Sequence, residues 1–192
     1  SVFRIPNYLK LNRSKIIYES RQKLISITVD GESENALVAL SFRSSDILSN
    51  SRDEKAQKVF IKQHFLNLGW ECGILMDYLD ICDDFYFDIA TQVFMESWTA
   101  GRIALVGDSG YCPSPLSGQG TSLGLVGAYV LANELKRANG DYISAFSRYN
   151  KLLIPFVKAN QELGMLVNET FLLSDEVSQE EINIRTKRIM EC

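Results

Sequence analysis

Histidine and paired cysteines are scarce in this sequence. His64 is the single histidine among 192 residues, and the four cysteines, at positions 72, 82, 112 and 192, form no Cys-x-x-Cys pair. Zinc sites are built from such clusters, so we expect no metal site. The cysteines are predicted to be packed thiols rather than disulfides. His64 shares a four-residue spacing with Ala56 and Phe60, which favours a packed histidine over a catalytic one.

Long apolar runs and targeting signals are also missing. The sequence has no stretch of about 18 uninterrupted apolar residues, and its N-terminus lacks the basic-then-apolar layout of a signal peptide. The formal net charge is −4, with lysines and arginines dispersed rather than gathered into a basic stripe. These absences predict a cytoplasmic protein that binds neither nucleic acid nor membrane.

The composition is that of a folded domain with a sizeable core. Hydrophobic residues make up 46% of the chain and charged residues 23%, which excludes disordered and collagen-like classes. The chain starts without Met, directly in the strand-like segment 1–5. We interpret that start as a sign that the chain is a piece of a longer protein.

The first half of the chain alternates strand-like and helix-like segments. Segments 15–19, 24–29 and 36–42 are β-rich and separated by turn residues, which predicts an antiparallel meander. Ser51 and Glu54 have capping-box spacing, and the apolar pattern that follows predicts a helix of about four turns, out to Leu68. A second short helix is predicted over 70–82 and a strand over 85–94.

The second half predicts one strand and two long helices. Residues 103–106 form a continuous apolar run, which is typical of a strand covered on both faces. After a Gly-, Ser- and Pro-rich loop over 108–120, a helix is predicted to about Ala138. Another helix is predicted from Asp141 as its N-cap, with a kink at Pro155. Residues 178–192 predict a short, weakly held helix.

The residues that carry chemistry begin where the apolar run ends. Asp108 follows Gly107 there, and a carboxylate at the end of a buried strand has a fixed position and accepts hydrogen bonds from hydroxyls. It suits a polyol such as the ribityl chain of a flavin. Taken alone, a Gly-Asp pair is more typical of a strand that ends in a turn, with the aspartate capping the local backbone.

The second candidate feature is the glycine-rich entry into the helix after the loop. Gly118, Gly120, Thr121 and Ser122 allow backbone N–H groups at the helix start to face a ligand. Those donors and the positive end of the helix dipole favour an oxygen that carries negative charge. Beyond them, small residues recur every four positions to Ala132 and permit a close approach, either by a cofactor or by a sheet.

The segment 98–135 resembles the second FAD-binding motif of class A flavoprotein monooxygenases, the family of para-hydroxybenzoate hydroxylase and of the tetracycline-inactivating monooxygenases. The resemblance implies that Gly107 and Asp108 contact the ribityl chain. It also implies that Pro115 lies near the reactive edge of the isoalloxazine and that the backbone of residues 120–122 meets the pyrimidine ring. The family usually has two alanines, and often a histidine, after the aspartate; here Ser109, Gly110 and Tyr111 follow.

The family's strand–Gly-x-Gly-x-x-Gly–helix unit, which seats the pyrophosphate, does not occur in the sequence. The resemblance therefore implies the C-terminal half only. We expect an α+β fold: an antiparallel substrate-domain sheet in residues 1–97, and the C-terminal, helix-rich part of a Rossmann-like FAD-binding domain in residues 98–192.

The implied activity is hydroxylation of a small organic substrate, aromatic or polycyclic, with O₂, FAD and NAD(P)H as co-substrate. It depends on a missing N-terminal ADP-binding half as partner. No residue is assigned a catalytic role. Two alternatives stay open: a truncated non-catalytic binding module, and a flavin reductase or halogenase relative.

Overall fold

The computed structural model describes residues 1–20, 22–45 and 52–170, and these residues form two compact units. The first unit comprises the described residues up to Asp88, and the second begins at Ile89. Each unit has its own hydrophobic core. Residues 178–192, for which a terminal helix was predicted, lie outside the described part of the chain.

The first unit is built on a four-stranded antiparallel sheet in the order β1-β4-β3-β2. The last three strands are consecutive neighbours, which confirms the predicted meander, and the first strand pairs with β4. Within the sheet, Ile25 pairs with Leu40 and Ile27 with Val38, so apolar side chains alternate onto one face. The strands are β1 Val2–Pro6, β2 Ser14–Ser20, β3 Lys23–Val29 and β4 Asn35–Phe42.

Two helices, α1 Glu54–Phe65 and α2 Cys72–Ile81, complete the core of this unit. Ile61 and Phe65 of α1, and Leu75 and Leu79 of α2, are fully buried in the same cluster as the inward-facing strand residues. The stripe that predicted α1, from Ala56 through His64 to Leu68, is only half-buried. The fully buried positions lie one residue further along the helix, at Ile61 and Phe65. His64 packs its ring against those of Phe42 and Phe60, as predicted.

The first of these helices begins later and ends earlier than predicted. Its N-cap is Asp53, whose carboxylate accepts a hydrogen bond from the backbone N–H of Lys55. Ser51, the predicted cap, lies outside the described residues. The helix has 12 residues and ends before Leu68, because the chain turns through Gly69, which has a φ of 78°.

The strand predicted over 85–94 is wrong. Only Tyr86 makes β-type bonds there, in an isolated bridge with Val2. The aromatic side chains that suggested a strand serve packing instead: Phe85 and Phe87 lie against the core of the first unit, whereas Phe94 is exposed. Aromatic content indicates burial as readily as it indicates a strand.

The second unit is mainly helical. A two-residue hairpin leads into a single helical turn, a 3₁₀ turn over Pro115–Ser117 and two long helices. Its core is the cluster of Trp98, Tyr111, Leu123, Tyr149, Leu153 and Val157. The elements are β5 Thr99–Ala100, β6 Ile103–Ala104, α3 Asp108–Tyr111, α4 Gly120–Arg137 and α5 Tyr142–Thr170.

The apolar run over 103–106 does not form a strand covered on both faces. Only Ile103 and Ala104 are in a strand, paired antiparallel with Thr99 and Ala100, and the Ile103 side chain is 66% exposed. A strand with a continuous apolar sequence needs cover on both faces. For pairing, the described residues supply only the hairpin. Residues 104–106 are half-buried, with Leu105 packed against the core of the second unit.

The two long helices match their predicted positions. The first ends with Ala138 as its C-cap, and Asp141 caps the second by accepting bonds from the backbone N–H of Ile143 and Ser144. The second helix continues through Pro155. Near the turn, Glu134 is 3% exposed and pairs with both Arg137 and Arg148. Neither these helices nor the others described are long and apolar enough to cross a membrane.

Candidate functional site

The site begins at the turn that follows the hairpin. Gly107 has φ 71° and ψ −142°, a conformation open in practice only to glycine. Its carbonyl accepts bonds from the N–H groups of Gly110 and Tyr111, both at 3.0 Å. Asp108 is the first residue of α3 and is exposed, and its carboxylate has no protein partner among the described residues. It is therefore available to a ligand.

A short, tightly bonded loop joins this turn to α4. Ser114 and Ser117 are 5% and 7% exposed, and the Ser117 hydroxyl donates to the Ser114 carbonyl at 2.9 Å. Ser114 has a φ of 76°, which is costly for a residue with a side chain. Pro115 follows it at the surface, and Gly118 ends the loop with a φ of 65°. The loop is thus held rigidly, with Pro115 at the surface.

The N-terminus of α4 offers three backbone donors. The first amide to reach a carbonyl of its own helix is that of Leu123, which bonds to Gln119. The N–H groups of Gly120, Thr121 and Ser122 have no acceptor among the described residues, and Gln119 makes no side-chain cap. Orphan donors of this kind at the positive end of a helix bind anionic oxygens.

These two features lie together. Asp108 Oδ1 is 3.7 Å from the point where a Cβ on Gly120 would stand, so the carboxylate and the helix start share one side of the unit. A Cβ on Gly107 would lie 3.5 Å from the Cα of Gly124. The chain's own backbone therefore approaches the start of the small-residue stripe, whereas Ala128 and Ala132 further along it are exposed.

A buried pair of tyrosines supports the turn from behind. Tyr111 and Tyr149 are fully buried, and their hydroxyl oxygens are 3.1 Å apart. Tyr149 also donates to the carbonyl of Leu105 at 2.8 Å. Burial, and then the bond with Tyr111, raise the pKa of Tyr149 far above its usual range, so it remains a neutral donor. Trp98 packs edge-on against the Tyr111 ring, with centroids 4.7 Å apart.

A second support is built around Gln92. Its side-chain amide donates to the carbonyl of Pro113 at 2.9 Å and to that of Gln161 at 2.8 Å. In return, the side chain of Gln161 donates to the carbonyl of Val93 at 2.7 Å. Gly164 leaves the room that this arrangement needs. These bonds join the segment before the hairpin, the loop before Pro115 and helix α5.

Sequence reasoning missed both supports. The partners are 38 residues apart in the tyrosine pair and 69 apart between Gln92 and Gln161, and no local spacing links them. The one available signal was Tyr111, which departs from the family's usual residues after the aspartate. The thiol of Cys112 donates to the carbonyl of Thr91, with its sulfur 3.8 Å from that oxygen.

A groove of about 670 Å³ lies along α5 in the second unit. Trp98 belongs to the core of the second unit, where it is 4% exposed, and it also lines the groove. The lining is mainly apolar, with charges at Glu96, Lys158 and Glu162. The other lining residues are Phe94, Met95, Ile154, Val157, Gln161 and Met165.

Sequence comparison shows which proteins the chain is similar to. No family model matches it, but it is 52% identical over 190 residues to a flavin-dependent monooxygenase of Legionella longbeachae, covering 99% of this chain and 49% of that protein. A flavin-dependent monooxygenase from an unknown prokaryotic organism matches at 52% over 191 residues, with the same coverage. Over nearly its whole length the chain is therefore similar to about half of each of these flavin-dependent monooxygenases, the family that the segment 98–135 resembles.

Two solved structures refine the likeness. The chain is similar to the tetracycline destructases Tet(51) and Tet(55), at 49% and 51% identity and a TM-score of 0.89 in both cases. Each match covers 99% of this chain and 50% of the destructase, so the chain spans about half the length of the relatives that it matches. PqsL of Pseudomonas aeruginosa, at 17% identity and a TM-score of 0.60, shares the fold.

Proposed function

We propose that the chain is the C-terminal half of an FAD-dependent monooxygenase that hydroxylates a polycyclic organic substrate of the tetracycline type. The observation that carries the proposal is the pairing of a partnerless Asp108 carboxylate with the three orphan amides at the start of α4, inside a chain about 50% identical to tetracycline destructases. Residues 1–97 would supply the substrate-domain sheet, and residues 98–192 the flavin side of the site.

The chain's own residues fit a flavin in kind and in position. Asp108 would accept hydrogen bonds from ribityl hydroxyls, next to Gly107, whose lack of a side chain permits a close approach. The N–H groups of Gly120, Thr121 and Ser122 would hold a pyrimidine oxygen and stabilise negative charge there. The rigid loop would set Pro115 and Gly118 beside the ring system and exclude water. The flavin, when bound, supplies the redox and oxygen chemistry, with NAD(P)H as the reductant.

An N-terminal, ADP-binding half is the partner that this proposal requires. Helix α4 is apolar on two faces: Leu123 packs into the core of its unit, whereas Leu125 and Tyr129 are 69% and 70% exposed. Ile103 of the hairpin is also exposed. Apolar side chains in such number on one element mark a surface that another polypeptide segment covers. The segment would be the half of each relative that this chain does not match.

Flavin retention tests the proposal directly. The chain would be purified alone and as a fusion behind the half of the Legionella longbeachae relative that it does not match. We expect the yellow flavin absorbance in the fusion only, because the described residues would hold the ring side of FAD but offer no strand–glycine–helix unit for its pyrophosphate. Tetracycline-dependent oxidation of NADH or NADPH would follow in the same sample. A colourless fusion would reduce the motif to a structural relic and favour a non-catalytic module.

Asp108→Ala should weaken FAD binding in that fusion without unfolding it. A hydrogen bond to a charged group contributes about 1.5–3 kcal/mol, so we expect FAD affinity to fall roughly 10- to 100-fold. Asp108→Asn keeps one acceptor oxygen, so its FAD affinity should lie between those of the wild type and Asp108→Ala. Because Asp108 is exposed and without a protein partner, thermal unfolding of the chain alone should be the same in all three. Unchanged FAD affinity in Asp108→Ala would remove this residue from the site.

A further inference from the structure

The donor and the acceptor in the bond between Tyr111 and Tyr149 are fixed by a third group. A backbone carbonyl has no proton to give, so Tyr149 must donate its single hydroxyl proton to Leu105. Tyr149 is then an acceptor toward Tyr111, and Tyr111 must be the donor in the bond between the two hydroxyls. The chain of donors thus runs from Tyr111 through Tyr149 to Leu105. Bonds in such a chain polarise and strengthen one another when buried.

The two ends of this chain lie on either side of Asp108. Leu105 comes two residues before Gly107, and Tyr111 ends the helical turn that Asp108 begins. The same turn is closed by the bond from the Tyr111 N–H to the Gly107 carbonyl at 3.0 Å. Tyr149, on the long helix α5, therefore holds both the entry to the turn and its exit.

We propose that Tyr149 and Tyr111 are positioning residues that set the place of the Asp108 carboxylate for the flavin. This inference rests on the proposed function, and neither tyrosine is a catalytic residue. The unequal roles of the two give a test. Tyr149→Phe removes both hydrogen bonds, so the Leu105 carbonyl loses its donor and the Tyr111 hydroxyl loses its acceptor. Tyr111→Phe leaves the bond from Tyr149 to Leu105 in place.

The first measurement needs only this chain. Amide hydrogen exchange of Gly110 and Tyr111, whose N–H groups close the turn, should accelerate about tenfold in Tyr149→Phe and less in Tyr111→Phe. Arg148→Gln is the matched control, since it breaks the Glu134 ion pair one residue away on the same helix. It should lower the melting temperature but leave these two amides unchanged. Equal acceleration in the control would overturn the inference.

The second measurement is FAD affinity in the fusion with the Legionella longbeachae half. Tyr149→Phe should weaken it about tenfold, and Tyr111→Phe about two- to threefold. The loss from Tyr149→Phe should disappear in the Asp108→Ala background, because a residue that acts through Asp108 has nothing left to position. An additive loss, or a larger effect from Tyr111→Phe, would overturn the inference.

The two proposals fail in distinguishable ways. A wild-type fusion that binds no flavin overturns the proposed function, and the positioning role with it, whatever the amide exchange shows. A wild-type fusion that binds flavin while Tyr149→Phe binds it equally well overturns the positioning role alone. Accelerated exchange together with additive losses of affinity would make the pair a purely structural contact.

Discussion

Gly127→Ala should destabilise the second unit of the chain by about 3 kcal/mol or more. A Cβ at this position would stand 1.8 Å from the hydroxyl oxygen of Tyr111 and 3.0 Å from the ring carbon that bears it. The Tyr111 ring cannot move aside, because it is fully buried against Trp98 and bonded to Tyr149. Urea unfolding followed by tryptophan fluorescence measures the loss, since Trp98 reports on this core.

Two variants separate the clash from the change in helix propensity. Gly124→Ala, one turn earlier in the same helix, meets nothing within 4 Å and should stabilise the chain alone by up to about 1 kcal/mol. Gly127→Ala combined with Tyr111→Phe removes the oxygen at 1.8 Å and should recover much of the lost stability. If Gly127→Ala is no less stable than Gly124→Ala, the hydroxyl of Tyr111 does not occupy the place assigned to it.

The sequence predicted those elements whose cause is local. The meander follows from apolar and polar residues that alternate between turns, and the start of α5 follows from Asp141, whose carboxylate caps it. The motif after the hairpin predicted that Asp108 and Gly120 belong together, and the structure brings them close. Their contact with a flavin remains a prediction.

What the sequence could not predict depends on partners distant along the chain. The apolar run over 103–106 predicted a strand covered on both faces, because continuous apolar sequences usually occur in such strands. Forming that strand requires neighbouring strands, and the described residues supply only the hairpin. The tyrosine pair and the Gln92 bonds join segments 38 and 69 residues apart. No local sequence pattern around a single tyrosine or glutamine predicts a contact with a residue so distant along the chain.

Gly164→Ala should be the second severe substitution, and it should affect the proposed flavin site as well as the fold. A Cβ here would stand 2.4 Å from the backbone carbonyl oxygen of Pro113 and 2.7 Å from Nε2 of Gln92. The carbonyl belongs to the rigid loop that carries Pro115, so that loop has to shift. We expect a loss of about 3 kcal/mol in urea unfolding and a measurable loss of FAD affinity in the fusion.

The controls follow from the two atoms that the added methyl group would meet. Gln92→Ala removes the hydrogen bonds without a clash and should cost about 1–2 kcal/mol. Gly73→Ala, inside α2, meets nothing within 4 Å and should cost nothing. Combining Gly164→Ala with Gln92→Ala clears the side chain but not the carbonyl, so rescue should be slight, unlike that of Gly127→Ala by Tyr111→Phe. Full rescue would show that the loop yields easily, and that helix α5 does not hold Pro115 in place.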